Sequence, residues 1–154
     1  MDMKIDVKIR GVKCEIQKDN LIVRFDEPMK VLSSAVLNGG LFKARAIINH
    51  HVPKSFDHRD PEGVLRGVAK GLGLPDDTVG FMTAVEIQNI AIRVEKKKEL
   101  TVSALVTAGL TYPATAGDDT IQTKKVSTIN IILLIDGNLT EGCMVNCIQT
   151  AIEA

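Results

Sequence analysis

The first 25 residues leave this chain little freedom of local structure. Met3-Lys4-Ile5-Asp6-Val7-Lys8-Ile9 alternates apolar and charged side chains, Gly11 interrupts it, and residues 12–17 resume the alternation. Asp19-Asn20 then makes a turn before Leu21-Ile22-Val23-Arg24-Phe25. A period of two puts every second side chain on one face, so three such runs between turn residues predict a β-meander with one buried face. That face needs a cover, and composition says what kind. Apolar residues make up 45% of the chain but aromatics only 3%, with no Trp, so the core must be aliphatic.

The remaining elements follow from pattern and punctuation. After Pro28 a strand is expected over about 30–37, and beyond Asn38-Gly39-Gly40 its hairpin partner over 42–49. Asp60 is a fitting N-cap and Pro61 a fitting first helical residue. Val64, Leu65, Val68, Ala69 and Leu72 form one stripe, and Gly73 is placed to stop the helix. Pro75-Asp76-Asp77 reads as a turn, and residues 79–84 as a further apolar element. Residues 87–94 alternate in part, Glu95-Lys96-Lys97-Lys98-Glu99 is a solvated hairpin tip, and 100–107 is the returning strand. Residues 111–125 show little periodicity and read as a long loop of the kind associated with function. Ile129-Asn130-Ile131-Ile132-Leu133-Leu134-Ile135 predicts a strand buried on both faces. A last helix is expected over about 139–153, with Asn138 and Glu141 as its capping box and Cys143, Met144, Cys147, Ile148 and Ala151 on its apolar face. Strands predominate and helices arrive singly. The expected architecture is α+β: one layered domain over 1–154, the meander of 1–27 included, on a largely antiparallel or mixed sheet with two or three packed helices.

Several function classes are disfavoured at this stage. The 19 basic and 19 acidic residues cancel, so no cationic surplus invites nucleic acid, and aromatic platforms for single strands are nearly absent. Cys14, Cys143 and Cys147 make no disulfide framework, and the last two, four apart on one helix, read as packed free thiols. His50, His51 and His58 lie outside any metal-binding motif, so no metal site is expected. The N-terminus does not resemble a signal peptide, and no apolar run approaches the ~18 residues of a membrane helix. A cytoplasmic protein without membrane contact is expected.

Polar side chains recur where strands end. Ser33 and Ser34 sit in an apolar run that empties into Asn38-Gly39-Gly40, whose glycines allow backbone amides to be aimed at a ligand. In a regular strand Ser34 and Asn38 share a face. Thr107 precedes Ala108-Gly109, and Thr128 and Asn130 share a face of the later apolar strand. Buried, such groups must find partners or a ligand, because burial unpaired costs roughly 1–3 kcal/mol. His50 and His51 point to opposite faces, so at most one enters a given site, and the long loop offers Asp118 and Asp119 as carboxylates. No G-x-S-x-G elbow supports a serine hydrolase.

Val31-Leu32-Ser33-Ser34-Ala35-Val36-Leu37-Asn38-Gly39-Gly40, Ile48-Asn49-His50-His51-Val52, Gly80-Phe81-Met82-Thr83-Ala84, Val106-Thr107-Ala108-Gly109-Leu110, Ala116-Gly117-Asp118 and Thr128-Ile129-Asn130-Ile131-Ile132-Leu133 together resemble the adenosylcobinamide amidohydrolase family. The likeness runs in order from about residue 28 to the end, departing at Ser127, where the family pattern leads one to expect glycine. It implies hydrolysis of the aminopropanol amide of adenosylcobinamide to adenosylcobyric acid, a salvage step toward coenzyme B12. The cobalt is then part of the corrinoid substrate and no separate cofactor is implied. Amide hydrolysis needs a nucleophile, oxyanion donors and a proton for the leaving amine. Chemistry assigns Ser34 or a water to attack, His51 or Asp118 to proton transfer, and Asn38, Gly39 and Gly40 to the oxyanion. Asn49, Thr107, Thr128 and Asn130 would bind corrin amides. A homodimer groove would give a small domain the area a flat corrinoid needs. The rival readings are a non-catalytic corrinoid carrier and an interaction module whose polar groups pair only internally.

Overall fold

The computed structural model describes residues 2–109 and 128–154. The meander forms as expected: β1 (Met3–Ile5), β2 (Val12–Gln17) and β3 (Asn20–Ser33) pair antiparallel in sequence order. β1 is shorter than the alternation predicts. Lys8 adopts φ 57° and its N–H donates to Asp6 Oδ1 at 2.9 Å, which bends the chain out of the ladder. Val7 and Ile9 stay buried all the same.

β3 is longer than expected and continues through Pro28. Its register with β4 (Gly40–His51) slips between Arg24 and Met29, where β3 advances from 24 to 29 while β4 moves only from 46 to 44. Pro28 is tolerated because β2 ends opposite Phe25, so no neighbour on that side calls for its missing N–H. β3 stops at Ser33, not near 37, and residues 34–39 fold back so that Leu37 bridges Gly80.

α1 (Pro61–Gly71) is built as its sequence predicts. Asp60 Oδ1 accepts from Gly63 N–H at 2.8 Å. At the other end Gly73 takes φ 66° and donates to Lys70 C=O, while Leu74 N–H reaches Ala69 C=O. α1 carries the chain from β4 to β5 (Thr78–Thr83), which pairs parallel to β4 and completes a mixed five-stranded sheet in the order β1-β2-β3-β4-β5. Leu65 and Ala69 pack with Ile22, Leu37, Ala46, Ile48 and Leu74 on one face of this sheet.

A second sheet, rather than more of the first, takes up the rest. After a short 3-10 turn at Ile87–Asn89 come β6 (Ala91–Lys97), β7 (Leu100–Ala108) and β8 (Ile129–Ile135), antiparallel in the order β6-β7-β8. The core between the sheets is aliphatic, from Leu21, Val23, Ile47 and Val79 to Leu105, Ile132 and Leu134. Only one face of β8 packs into the core between the sheets, so the expectation of burial on both faces fails: Ile132 and Leu134 are buried, Ile129 is 54% exposed, and Ile131, Leu133 and Ile135 are half-buried.

α2 (Glu141–Glu153) is capped by Thr140, whose hydroxyl accepts from Cys143 N–H, and not by Asn138. None of its residues is buried, and Val145 and Ile152 are 55% and 76% exposed. Its expected apolar face is therefore only partly covered: Met144, Cys147 and Ala151 are half-buried on the side that meets β3. Cys143 is exposed and Cys147 half-buried, so these thiols are not both packed. The fold is α+β, with two sheets and two α-helices.

Candidate active site

β4 and β5 are the parallel pair, and they end side by side at His51 and Thr83. The carboxyl ends of parallel strands are where sheets of this kind place ligands, because side chains and following loops converge there. Alternation along β4 points Ile47, Asn49 and His51 toward the second sheet, and Ile48 and His50 toward α1. The two histidines do face opposite ways. His50 Nδ1 lies 2.7 Å from Asn20 Oδ1, and burial lowers its pKa, with neighbouring His51 adding in the same direction and Asp19 opposing. His51 is half-buried at the strand end, register-paired with Thr83.

Four of the residues selected from the sequence come together here. Asn49 Nδ2 donates to Thr107 Oγ1 at 3.1 Å, and Asn130 Nδ2 donates both to Asn49 Oδ1 at 2.9 Å and to Met82 C=O at 2.8 Å. Thr128 Oγ1 is 3.4 Å from Thr83 Oγ1. These side chains couple β4 and β5 of one sheet to β7 and β8 of the other. Asn49 and Thr107 are 1% and 0% exposed, so they lie beneath the surface, whereas Thr128 and Asn130 are half-buried. Gly109 N–H donates to Thr128 C=O at 3.0 Å, so β7 leaves and β8 returns at the same place.

Asn130 also borders a cleft of about 790 Å³. One wall is β8, another the free outer half of β3 from Pro28 to Ser33 with Ser34, and a third is α2 through Met144, Cys147, Ile148 and Ala151. Ile47 and Phe81 line it too. Its size falls within the range of small-molecule sites, ~300–1,000 Å³. Ser34 thus reaches the cleft, but from an exposed loop and not from a strand.

Asn38, Gly39 and Gly40 go elsewhere. With β3 ending at Ser33, strand parity no longer ties Asn38 to Ser34. Asn38 has φ 53°, and its amide donates to Asp76 C=O at 3.1 Å and Thr78 C=O at 2.7 Å, tying the loop to the start of β5. A Cβ on Gly39 would stand 2.4 Å from Ala35 C=O, and Gly40 opens β4 at φ 86°. Turn geometry accounts for all three, and none lines the cleft. Asp118 and Asp119 lie outside the described residues. Among the described residues no three of His, Cys, Asp and Glu are grouped to hold a metal ion.

Thr83 escaped the sequence reading because it sits within the apolar run 79–84, where a lone threonine looks like an ordinary β-branched strand residue. Its signal is the strand end that follows it, visible only once β5 is placed beside β4.

Comparison with known proteins places the chain. A model of the adenosylcobinamide amidohydrolase family matches residues 5–154. Adenosylcobinamide amidohydrolase of Methanosarcina mazei is 30% identical over 143 residues, covering 90% of this chain and 63% of the relative. An uncharacterized protein of Methanocaldococcus jannaschii is 27% identical over 173 aligned positions, covering 96% of this chain and 65% of the relative. The chain thus spans a little under two thirds of these relatives' length. No solved structure matches it.

Proposed function

Because the chain belongs to the adenosylcobinamide amidohydrolase family, we propose that it hydrolyses the amide joining aminopropanol to a propionate arm of adenosylcobinamide. The products are adenosylcobyric acid and free aminopropanol, which returns the corrinoid to coenzyme B12 synthesis. One observation carries the reading: an aliphatic cleft of about 790 Å³ bordered by Ser34 and Asn130, the latter bonded to Asn49 and to Met82 C=O near the ends of β4 and β5.

A corrin ring is flat, with apolar faces and a rim of amides. Val31, Leu32, Ile131 and Ile148 along the cleft suit such a face. The NH₂ of Asn130 is already engaged by Asn49 and Met82, so what it offers a rim amide is its carbonyl oxygen. Asn49 and Thr107 would act from below by fixing that orientation. Thr128 would donate to the carbonyl of the scissile amide. In this scheme water, or Ser34 on the cleft wall, attacks that carbonyl. His51 accepts the proton and returns it to the departing amine, with Asp118 as the alternative base. Asn38, Gly39 and Gly40 would serve the site by shaping the loop that carries Ser34, in place of the oxyanion role first expected of them.

Incubation with adenosylcobinamide, followed by chromatography of the corrinoid and detection of aminopropanol, tests the proposal. Stoichiometric appearance of both products is expected. Corrinoid binding without aminopropanol release would refute hydrolysis and leave the carrier reading, whereas no corrinoid binding at all would leave the interaction module, which the internal pairing of Asn49, Thr107 and Asn130 favours. The cytoplasmic setting belongs to this proposal. The structure contributes only that, among the described residues, no helix is long and apolar enough to cross a membrane. A homodimer would extend the cleft area, and the mass in solution tests it.

A further inference from the structure

We propose that the two long walls of the cleft are unpaired strand edges, and that their peptide groups bind the amide side chains on the corrinoid rim. The inference rests on the corrinoid reading above and names how that ligand is gripped.

β8 has a ladder partner on one side only, β7. Every residue from Ile129 to Ile135 lines the cleft, although successive side chains point to opposite faces. A surface met by both sets is the edge of the strand. The register tells which peptide groups that edge shows. Gly109 N–H donates to Thr128 C=O, Asp136 N–H donates to Thr101 C=O, and the ladder between them keeps one register. Along an antiparallel ladder, pairs that exchange hydrogen bonds alternate with pairs that do not. Asn130, Ile132 and Leu134 therefore turn their peptide groups toward β7. Ile129, Ile131 and Leu133 turn theirs away, and among the described residues no backbone group bonds to them.

The outer half of β3 is the second edge. Residues 28–34 line the cleft in an unbroken run, and β2 has ended opposite Phe25. Asp26 N–H donates to Gly11 C=O on the β2 side, whereas Asp19 C=O accepts from His51 N–H on the β4 side. Even-numbered residues thus aim their peptide groups at the β2 side. That parity survives the register slip, because Leu21, Val23 and Val31 all pack into the core between the sheets. Lys30 and Leu32 then present free peptide groups beyond the end of β2. Pro28, with no N–H to donate, sits where none is bonded.

A strand from another chain could add to such an edge. On β3, however, Pro28, Lys30 and the register slip are devices that discourage strand addition, so the edges fit a ligand bearing separate amides. Each primary amide carries a donor and an acceptor, the same two groups that an edge residue offers. Val12, Ile47 and Phe81, which also line the cleft, suit the apolar face of the ring.

The test measures cobinamide binding by equilibrium dialysis, with the corrinoid read by its visible absorbance. Leu133→Pro and Leu32→Pro each delete one cleft-facing N–H and no ladder bond, a change that edge strands tolerate. Leu133→Ala and Leu32→Ala account for the lost side chains. Each proline variant should bind about five- to tenfold more weakly than its alanine control, the contribution of one hydrogen bond. A corrinoid with methyl esters in place of its rim amides should bind wild type at least about tenfold more weakly, although it is the more apolar ligand. Alanine-like affinity in either proline variant, or equal affinity for the ester, would overturn the inference and leave aminopropanol release by wild type untouched. Absence of cobinamide binding to wild type would instead overturn the corrinoid reading and the inference with it. Should a proline variant fail to fold by far-UV circular dichroism, an ester linkage in place of the same peptide bond removes the N–H and keeps the side chain.

Discussion

Removing Asn49 tests the junction between the sheets. The side chain is 1% exposed, donates to Thr107 at 3.1 Å, and accepts from Asn130 at 2.9 Å. Asn49→Ala removes two hydrogen bonds whose net worth is about 1 kcal/mol each, and leaves Thr107, fully buried, without that partner, at ~1–3 kcal/mol. Asn130 suffers less, because Met82 C=O still receives its amide. The expected loss is about 3 kcal/mol, which for a chain of this length lowers the melting temperature by roughly 6–12 °C. Urea unfolding followed by far-UV circular dichroism suits a protein with no Trp. A cycle with Thr107→Val sharpens the result. If Asn49→Ala is costly because it orphans the Thr107 hydroxyl, deleting that hydroxyl first should recover about 1 kcal/mol in the double variant. Losses that add to within ~0.3 kcal/mol, or a single-variant loss below ~1 kcal/mol, would refute the reasoning.

Three further outcomes are expected. Gly39→Ala should destabilise by about 2 kcal/mol, since its Cβ meets Ala35 C=O at 2.4 Å, whereas Gly67→Ala, with open space in α1, should stabilise by about 0.5–1 kcal/mol; urea midpoints of the two variants check the opposite signs. Burial lowers the His50 pKa, so the unfolded chain takes up the proton first: stability is at its full value above about pH 6.5 and falls as pH drops through the lowered native pKa. Urea midpoints measured across that window should fall toward acid in wild type and less in His50→Asn. Cys14 is buried and its thiol is pushed up to about 12 by burial and by Glu15, while Cys143 is exposed and Cys147 half-buried. A thiol reagent at neutral pH should therefore titrate two thiols quickly and Cys14 only after unfolding.

What the sequence disclosed followed how local the cause was. α1 was legible from end to end because Asp60, Pro61 and Gly73 act on their own backbone neighbours. The solvated tip expected over Glu95–Glu99 was legible only as a turn of the chain, since Glu95, Lys96 and Lys97 still pair in β6 and the turn itself is Lys98-Glu99. Thr128 and Asn130 sharing a face needed only the two-residue period of β8, and both side chains do engage β5. Ser34 and Asn38 failed that argument because β3 ends at Ser33, where a bridge between Leu37 and Gly80, 43 residues apart, draws the chain away. Pro28 looked like a break, yet the end of β2 leaves it on a free edge. Nor does strand pattern say how many sheets the strands make. That division depends on which backbones meet, and it decides where the cleft lies.

The division into two sheets bears on how a thick, rigid ligand could enter. Among the described residues, the two ladders share no backbone pairing, and the contacts between them are aliphatic packing plus a few bonds from side chains such as Asn130 and Ser103. The chain passes from one ladder to the other through residues 84–90 alone, on the way from β5 to β6. The two sheets are thus like covers bound along one spine. Parting them between β3 and β8 would break no strand-to-strand hydrogen bond but would expose the aliphatic core they share, so packing of residues such as Leu21, Ile47, Leu105 and Ile132, together with the side-chain bonds of Asn49 and Asn130, is what holds the covers closed.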